Sequence, residues 1–174
     1  RLQIVNRDSL DMDFNMRAIV GKTATKTPLF TAYIYQVSTY PYWVVPFSIA
    51  TKEILPKLKY NVKYLAKNNF EVLNGKGETV DPTTIKWSRY TTKYFPFTIR
   101  QTDGQDNSLG ILKFDLSDPF SIYMHDTNQR NLFKNHDRWL SHGCIRLEKP
   151  MELAYYVLAG RNNDTTIIHQ LNVA

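Results

Sequence analysis

The chain has 174 residues, 43% of them hydrophobic and 22% charged, with a formal net charge of +6 and one cysteine. That length fits one domain with a core of its own, no stretch approaches the roughly 18 uninterrupted apolar residues of a membrane-spanning helix, and a lone cysteine excludes an internal disulfide. The positive balance suits a polyanionic partner, nucleic acid or an acidic envelope polymer, but the lysines are scattered rather than banked, and solubility accounts for such a charge equally well.

In chain order, Arg1 to Val5 and Asn15 to Val20 are short β-prone runs around a polar turn, Asp8 to Asp13, and Pro28 to Ser38 supplies a longer run. The start of the chain therefore reads as antiparallel strands. Helical spacing follows: Thr51 is placed to cap a short helix and Asn61 a second, with Ile54, Leu55, Leu58, Val62 and Leu65 as the apolar stripe, and Pro56 limiting the first helix. Asn74-Gly75 predicts a tight hairpin in "FEVLNGKGETV", and Asp81-Pro82 a cap with a first-turn proline. The pieces from about Ile49 to Phe97 interrupt a β-rich chain like an inserted subdomain.

Strands are predicted at Leu109 to Leu116 and Phe120 to Asp126, the second delivering His125 to a strand end. A polar loop with Asn128, Asn131 and Asn135 leads to "RWLSHGCIRL". "EKPMELAYYVLAG" then predicts a helix with Pro150 in its first turn, Glu148 and Glu152 near its positive end and Gly160 past its last turn, and "TTIIHQLNV" a closing strand.

A thiol attacks as its thiolate, and an ordinary cysteine is mostly protonated at neutral pH, so a catalytic Cys144 needs a hydrogen-bonding or cationic neighbour. Of the four histidines, His142 is nearest in sequence, whereas thiol enzymes usually draw the imidazole from a separate segment, which favours His125. His136 and His169 carry no supporting context. Gly143 permits a sharp turn that would aim the Gly143 and Cys144 amides at a developing oxyanion. Two other readings of Cys144 stay open on residue types alone: a small buried hydrophobe, and a zinc ligand, which is disfavoured because paired cysteines and an HExxH pattern are both lacking.

"SHGCIR", with the histidine of "YMHDT" nineteen positions before the cysteine, resembles the L,D-transpeptidase catalytic domain, or YkuD domain. "MRAIVGK", "PYWVVPFSIATKEILPKL", "NSLGILKF" and "RLEKPMELA" extend the resemblance over nearly the whole chain, to the longer YcbB-like branch with a lid-like insertion over its active site. The chain departs from that branch at Asn128 in "HDTN" and Val44 in "WVVP".

The resemblance implies a mainly β (α+β) fold, a YkuD-type β-sandwich or mixed-sheet catalytic domain over residues 1–174, with the lid-like insertion at about 49–97. Opening on Arg1, the chain is expected to be a piece of a larger protein. The resemblance further implies Cys144 as nucleophile, His125 as general base, and the Gly143 and Cys144 amides as oxyanion donors. Ser141, His142, Arg146, Tyr123 and Trp43 are the expected substrate-binding residues.

The implied reaction crosslinks peptidoglycan stem peptides through a cysteine thioester, with a tetrapeptide donor that releases D-Ala and a diamino-acid acceptor, in the periplasm or cell envelope. Carbapenem-type β-lactams are the expected covalent inhibitors. No metal, organic cofactor or nucleic acid is expected to take part. Hydrolysis of the same thioester (L,D-carboxypeptidase or endopeptidase) and an inactive peptidoglycan-binding module are the alternatives.

Overall fold

The computed structural model describes residues 1–6 and 8–159. The closing strand, His169 and Gly160 lie outside the described residues. The chain divides into two compact units, one formed by Arg1–Thr39 with Leu109 onward, the other by Tyr40–Ser108. The fold is mainly β, with mixed sheets and a few short helices, as expected.

In the first unit, β1 (Leu2–Val5) and β2 (Met12–Met16) pair antiparallel. The run expected over Asn15 to Val20 breaks at Arg17, and β3 (Ala18–Gly21) begins beyond it. The break is held by Glu148, whose carboxylate accepts hydrogen bonds from the Arg17 backbone N–H at 2.9 Å and from its guanidinium Nε at 2.8 Å. A short 3-10 turn follows at Thr23–Thr25, and the run expected from Pro28 starts only at β4 (Ile34–Thr39).

Later strands are β8 (Leu112–Leu116), β9 (Tyr123–His125), β10 (Trp139–Ser141) and β11 (Ile145–Leu147). They join β3 and β4 in a six-stranded sheet of order β10-β3-β11-β9-β8-β4. The β3–β10 and β9–β11 pairs are parallel and the others antiparallel.

Strand alternation gives this sheet two unlike faces. Leu112, Phe114, Met124 and Leu147 point to one side and form a core with Leu153 and Ala154 of α4 (Pro150–Ala159), the helix expected there, with Pro150 at its first position. Lys113, Asp115, Tyr123 and His125 alternate with them and take the opposite side.

The second unit has its own core, built on a three-stranded sheet of order β5-β7-β6 (Trp43–Val44, Thr98–Gln101, Phe70–Leu73). Its helical part starts at α1 (Phe47–Ile49), passes through a π-helical stretch at Ala50–Ile54 into α2 (Leu55–Leu58), and ends with α3 (Lys63–Lys67). Thr51 is therefore not a cap. It is buried inside the helix, and its hydroxyl donates to the Phe47 carbonyl at 2.8 Å. The wider π turn lies directly before Pro56, which has no N–H for a regular ladder.

The N-cap of α3 is Val62 and not Asn61, which stands one residue earlier and accepts the Lys63 N–H at 3.0 Å. The Asn74-Gly75 hairpin forms, but as a longer loop: the left-handed residue is Gly77 (φ 81°), and Asn74 Oδ1 accepts the Lys76 and Glu78 amides. An aromatic cluster of Trp87, Tyr90, Phe95 and Phe97 fills much of the core.

Candidate active site

His125 ends β9 and Cys144 immediately precedes β11. Because these strands are parallel and in register, Ile145 lies opposite Met124 and Arg146 opposite His125. On β9's other side Lys113 is opposite His125 and Asp115 opposite Tyr123. Paired residues share a face, so the sheet gathers Lys113, Tyr123, His125 and Arg146 on the side away from α4, with Cys144 at the mouth of β11.

The cysteine turn is built by Ser141. Its hydroxyl donates to the Cys144 carbonyl at 2.6 Å and accepts the Gly143 N–H at 3.1 Å. Gly143 adopts φ 132°, which side chains other than glycine rarely tolerate. At rest the Gly143 amide is taken up by Ser141, and Ser141, 2% exposed, spends its hydroxyl inside the turn and shapes the nucleophile's backbone.

A second support comes from the loop after β3, which sequence reasoning missed. Thr27 Oγ1 donates to the Gly143 carbonyl at 2.6 Å and accepts the Gly21 N–H at 3.0 Å, while Thr25 Oγ1 donates to the Ser141 carbonyl at 3.2 Å. The loop folds so tightly that a Cβ on Gly21 would meet the Thr25 carbonyl oxygen at 2.0 Å. The repeated threonines of "GKTATKT" are the only sequence signal for these straps.

His125 is 5% exposed. Burial, reinforced by the positive charges of Arg146 and Lys113 and opposed by backbone hydrogen bonds at Asp126 and Leu109, pushes its pKa down to about 3. The imidazole is thus neutral at physiological pH. Its Nδ1 is buried without a hydrogen-bond partner among the described residues, so the resting geometry leaves that nitrogen unbonded to the thiol.

Asp126, missed although it belongs to the same motif, is 3% exposed, accepts the Ile111 N–H at 3.1 Å and pairs with Arg130 at 2.5 Å. It fixes the chain just beyond Leu109, whose backbone bonds the imidazole.

Cys144 is partly exposed. Burial raises its thiol pKa, against hydrogen bonding to the Tyr123 backbone and side chain; Asp118 pushes it further up and Lys113 down. Thiol and imidazole both rest neutral. Contact with the sulfur places Tyr123 at the site, and its ring lies 5.6 Å from that of His125. Arg146 donates to Gln129 Oε1 at 2.8 Å, and its buried Nε has no partner among the described residues.

His142 is exposed at the turn, and His136 is fully exposed beside Asp137. Trp43 belongs to the second unit, where it lies opposite Gln101 and packs on Phe70. Among the described residues, no three His, Cys, Asp or Glu side chains cluster in a way that could hold a metal ion, and no helix is long and apolar enough to cross a membrane.

A mixed-sheet domain that presents one thiol on a positive-φ glycine turn, one strand away from a buried neutral imidazole, defines a narrow class. Residues 1–168 match the L,D-transpeptidase catalytic domain family, YkuD, and the chain belongs to it. Over 148 residues, 85% of the chain, it is 36% identical to a Haemophilus influenzae protein named "Putative L,D-transpeptidase", of whose length it spans 30%.

Proposed function

We propose that this domain transfers acyl groups between peptidoglycan stem peptides through a thioester on Cys144. The observation that carries the reading is the parallel register of β9 and β11, which sets Cys144 one strand away from an imidazole that is buried, neutral and without a partner at Nδ1 among the described residues. A neutral imidazole can accept a proton; an imidazolium cannot.

Cys144 Sγ attacks the carbonyl of the third residue of a tetrapeptide stem as His125 takes the thiol proton. The tetrahedral oxyanion is met by the Cys144 amide. Its collapse breaks the peptide bond, and His125 returns the proton to the nitrogen of the departing D-Ala. The amine of a second stem's diamino acid then attacks the thioester, loses a proton to His125 and restores the thiol, leaving a crosslink between third residues.

Tyr123, Arg146 and His142 are assigned to the substrate surface, and Trp43 to the insertion that would serve as a lid. The substrate polymer implies work in the cell envelope. Water in place of the amine would make the same site an L,D-carboxypeptidase or endopeptidase, and carbapenems would acylate the same sulfur.

The test is incubation with disaccharide-tetrapeptide and mass analysis of the products, alongside Cys144→Ala and His125→Ala. Crosslinked dimers lost in both variants are the expected result. Tripeptide without dimers moves the reading to hydrolysis, and absence of both products with an unmodified thiol rejects acyl transfer.

A further inference from the structure

Gly143 gives the cysteine turn its angle and, for the same reason, leaves it loose. Glycine takes positive and negative φ with comparable ease, so the peptide unit joining Gly143 to Cys144 meets no Cβ of Gly143 that would stop it turning over. The turn nevertheless holds one setting, with Gly143 at φ 132°. That unit matters to the chemistry because it carries the Cys144 N–H, the donor that meets the oxyanion in the reaction proposed above.

The opposite end of the same peptide unit is held by Thr27. Its hydroxyl donates to the Gly143 carbonyl at 2.6 Å and accepts the Gly21 N–H at 3.0 Å. The two bonds orient each other: the N–H occupies the oxygen, and the hydroxyl hydrogen goes to the carbonyl. Gly21 is the end of β3 and lies opposite Ser141 of β10, so the anchor is tied to the sheet. Pro28 follows Thr27 and confines its backbone to extended conformations. A Cβ on Gly21 would meet the Thr27 N at 2.7 Å, which leaves the strap little room to shift. The neighbouring Ser141 carbonyl, by contrast, is held twice, by the Lys22 N–H at 3.0 Å and the Thr25 hydroxyl at 3.2 Å.

We infer that Thr27 is a positioning residue for acyl transfer: by clamping the Gly143 carbonyl it aims the Cys144 N–H at the oxyanion. This rests on the acyl-transfer reading above and adds to it the side chain that sets the oxyanion donor. A trans peptide unit is planar, with its C=O and N–H pointing opposite ways. A carbonyl tied to the loop after β3 therefore turns the Cys144 N–H away from that loop, and a released carbonyl lets the N–H swing off line. Oxyanion donors act because they are already oriented when charge develops, so a donor that must first be turned loses part of its effect.

The test sets two reactions of Cys144 side by side, at one pH and well below the urea midpoint of each variant, read by intact mass. p-Nitrophenyl acetate acylates the sulfur through a tetrahedral oxyanion and expels nitrophenolate. Iodoacetamide alkylates it by displacing iodide from a saturated carbon, and no oxyanion forms. Thr27→Val should slow the ester about ten- to a hundredfold, part of what loss of a whole oxyanion donor costs, with alkylation near the wild-type rate. Thr27→Ala, which lacks the same hydroxyl, carries the same expectation, and Thr27→Ser should restore the ester rate. Thr25→Val, which leaves the Gly143 carbonyl held, should shift the ratio of the two rates by less. With disaccharide-tetrapeptide, Thr27→Val should lower kcat and leave KM unchanged, the pattern of an interaction made only in the transition state.

Equal slowing of ester and iodoacetamide would assign Thr27 to the fold of the turn and overturn the inference. An unchanged ester rate in Thr27→Val, or an equal effect from Thr25→Val, would overturn it too, with acyl transfer left standing. A wild-type domain that iodoacetamide alkylates but neither the ester nor the tetrapeptide acylates rejects the acyl-transfer reading, and the role of Thr27 with it.

Discussion

The two faces of the six-stranded sheet are made by the same strands and do opposite work. On one, Leu112, Phe114, Met124 and Leu147 are almost fully buried against α4. On the other, one residue away along each strand, Lys113, His125 and Arg146 put two cations and a desolvated imidazole side by side. Apolar burial stabilises by about 25 cal/mol per Å², whereas a buried histidine held neutral and a partly buried guanidinium each cost free energy. Period-two alternation lets one stretch of chain supply stability and chemistry independently, and the apolar face offsets what the reactive face costs.

The sharpest way to break that division is at its two extremes. His125→Gln should lower turnover by about 10²–10⁴-fold, the usual worth of a general base, while leaving thermal stability at pH 7 intact; a large drop in Tm there would show that the reactive face also carries the fold. Phe114→Ala, on the opposite face, should destabilise by about 3–5 kcal/mol in urea unfolding. Below that denaturation midpoint it should leave turnover near normal.

The pH dependence of stability sharpens the same contrast. An unfolded chain protonates His125 near its ordinary 6.5, but the native state does so only near 3. Between those values the unfolded state binds the extra proton, so stability is complete above pH 6.5 and falls as pH drops toward 3. The His125 contribution to the slope reaches about 1.4 kcal/mol per pH unit. His125→Gln should remove that contribution, which urea titrations at stepped pH measure directly.

Smaller effects belong to the turn. Gly143→Ala should cost about 1–3 kcal/mol of backbone strain, more than crowding would, because the new Cβ meets the end of the Ile122 side chain at 3.3 Å and the Thr25 carbonyl oxygen no nearer than 4.0 Å. Thr27→Val removes the acceptor for Gly21 and the donor for Gly143 together, and about 1–2 kcal/mol of stability with them. Alkylation of Cys144 by iodoacetamide should climb steadily with pH and still be rising at pH 9 in the wild type, since burial holds the thiol above its ordinary value of 9.0. A plateau at neutral pH would instead mark a resting thiolate–imidazolium pair.

Much of this was legible in the sequence. Alternation in "SIYMHD" brought His125 and Tyr123 to one face, and the glycine before Cys144 announced the turn. What was not legible depends on contacts across long sequence separations. Arg17 breaks a good β pattern because Glu148 binds it from the far end of the chain. Nothing near Ser141 or Gly143 signals that Thr25 and Thr27 will hold them. Lys113 reads as an ordinary exposed-face residue until strand order sets it beside His125. Local backbone chemistry accounts for the rest: Pro56 follows a π turn where Thr51 had suggested a cap, and Gly77 took the left-handed position that Asn74-Gly75 had suggested.

The threonine straps reach the cysteine turn across 116 residues. During synthesis the loop that carries them emerges well before the cysteine, and no partial product that stops before Gly143 contains the thiol at all. The nucleophile acquires its shape only when the first and last thirds of the chain close on each other. Long-range closures of this kind are slow steps in folding. The reactive turn therefore depends on closure of the first unit, and a chain in which that closure is unmade carries its cysteine without the threonine straps.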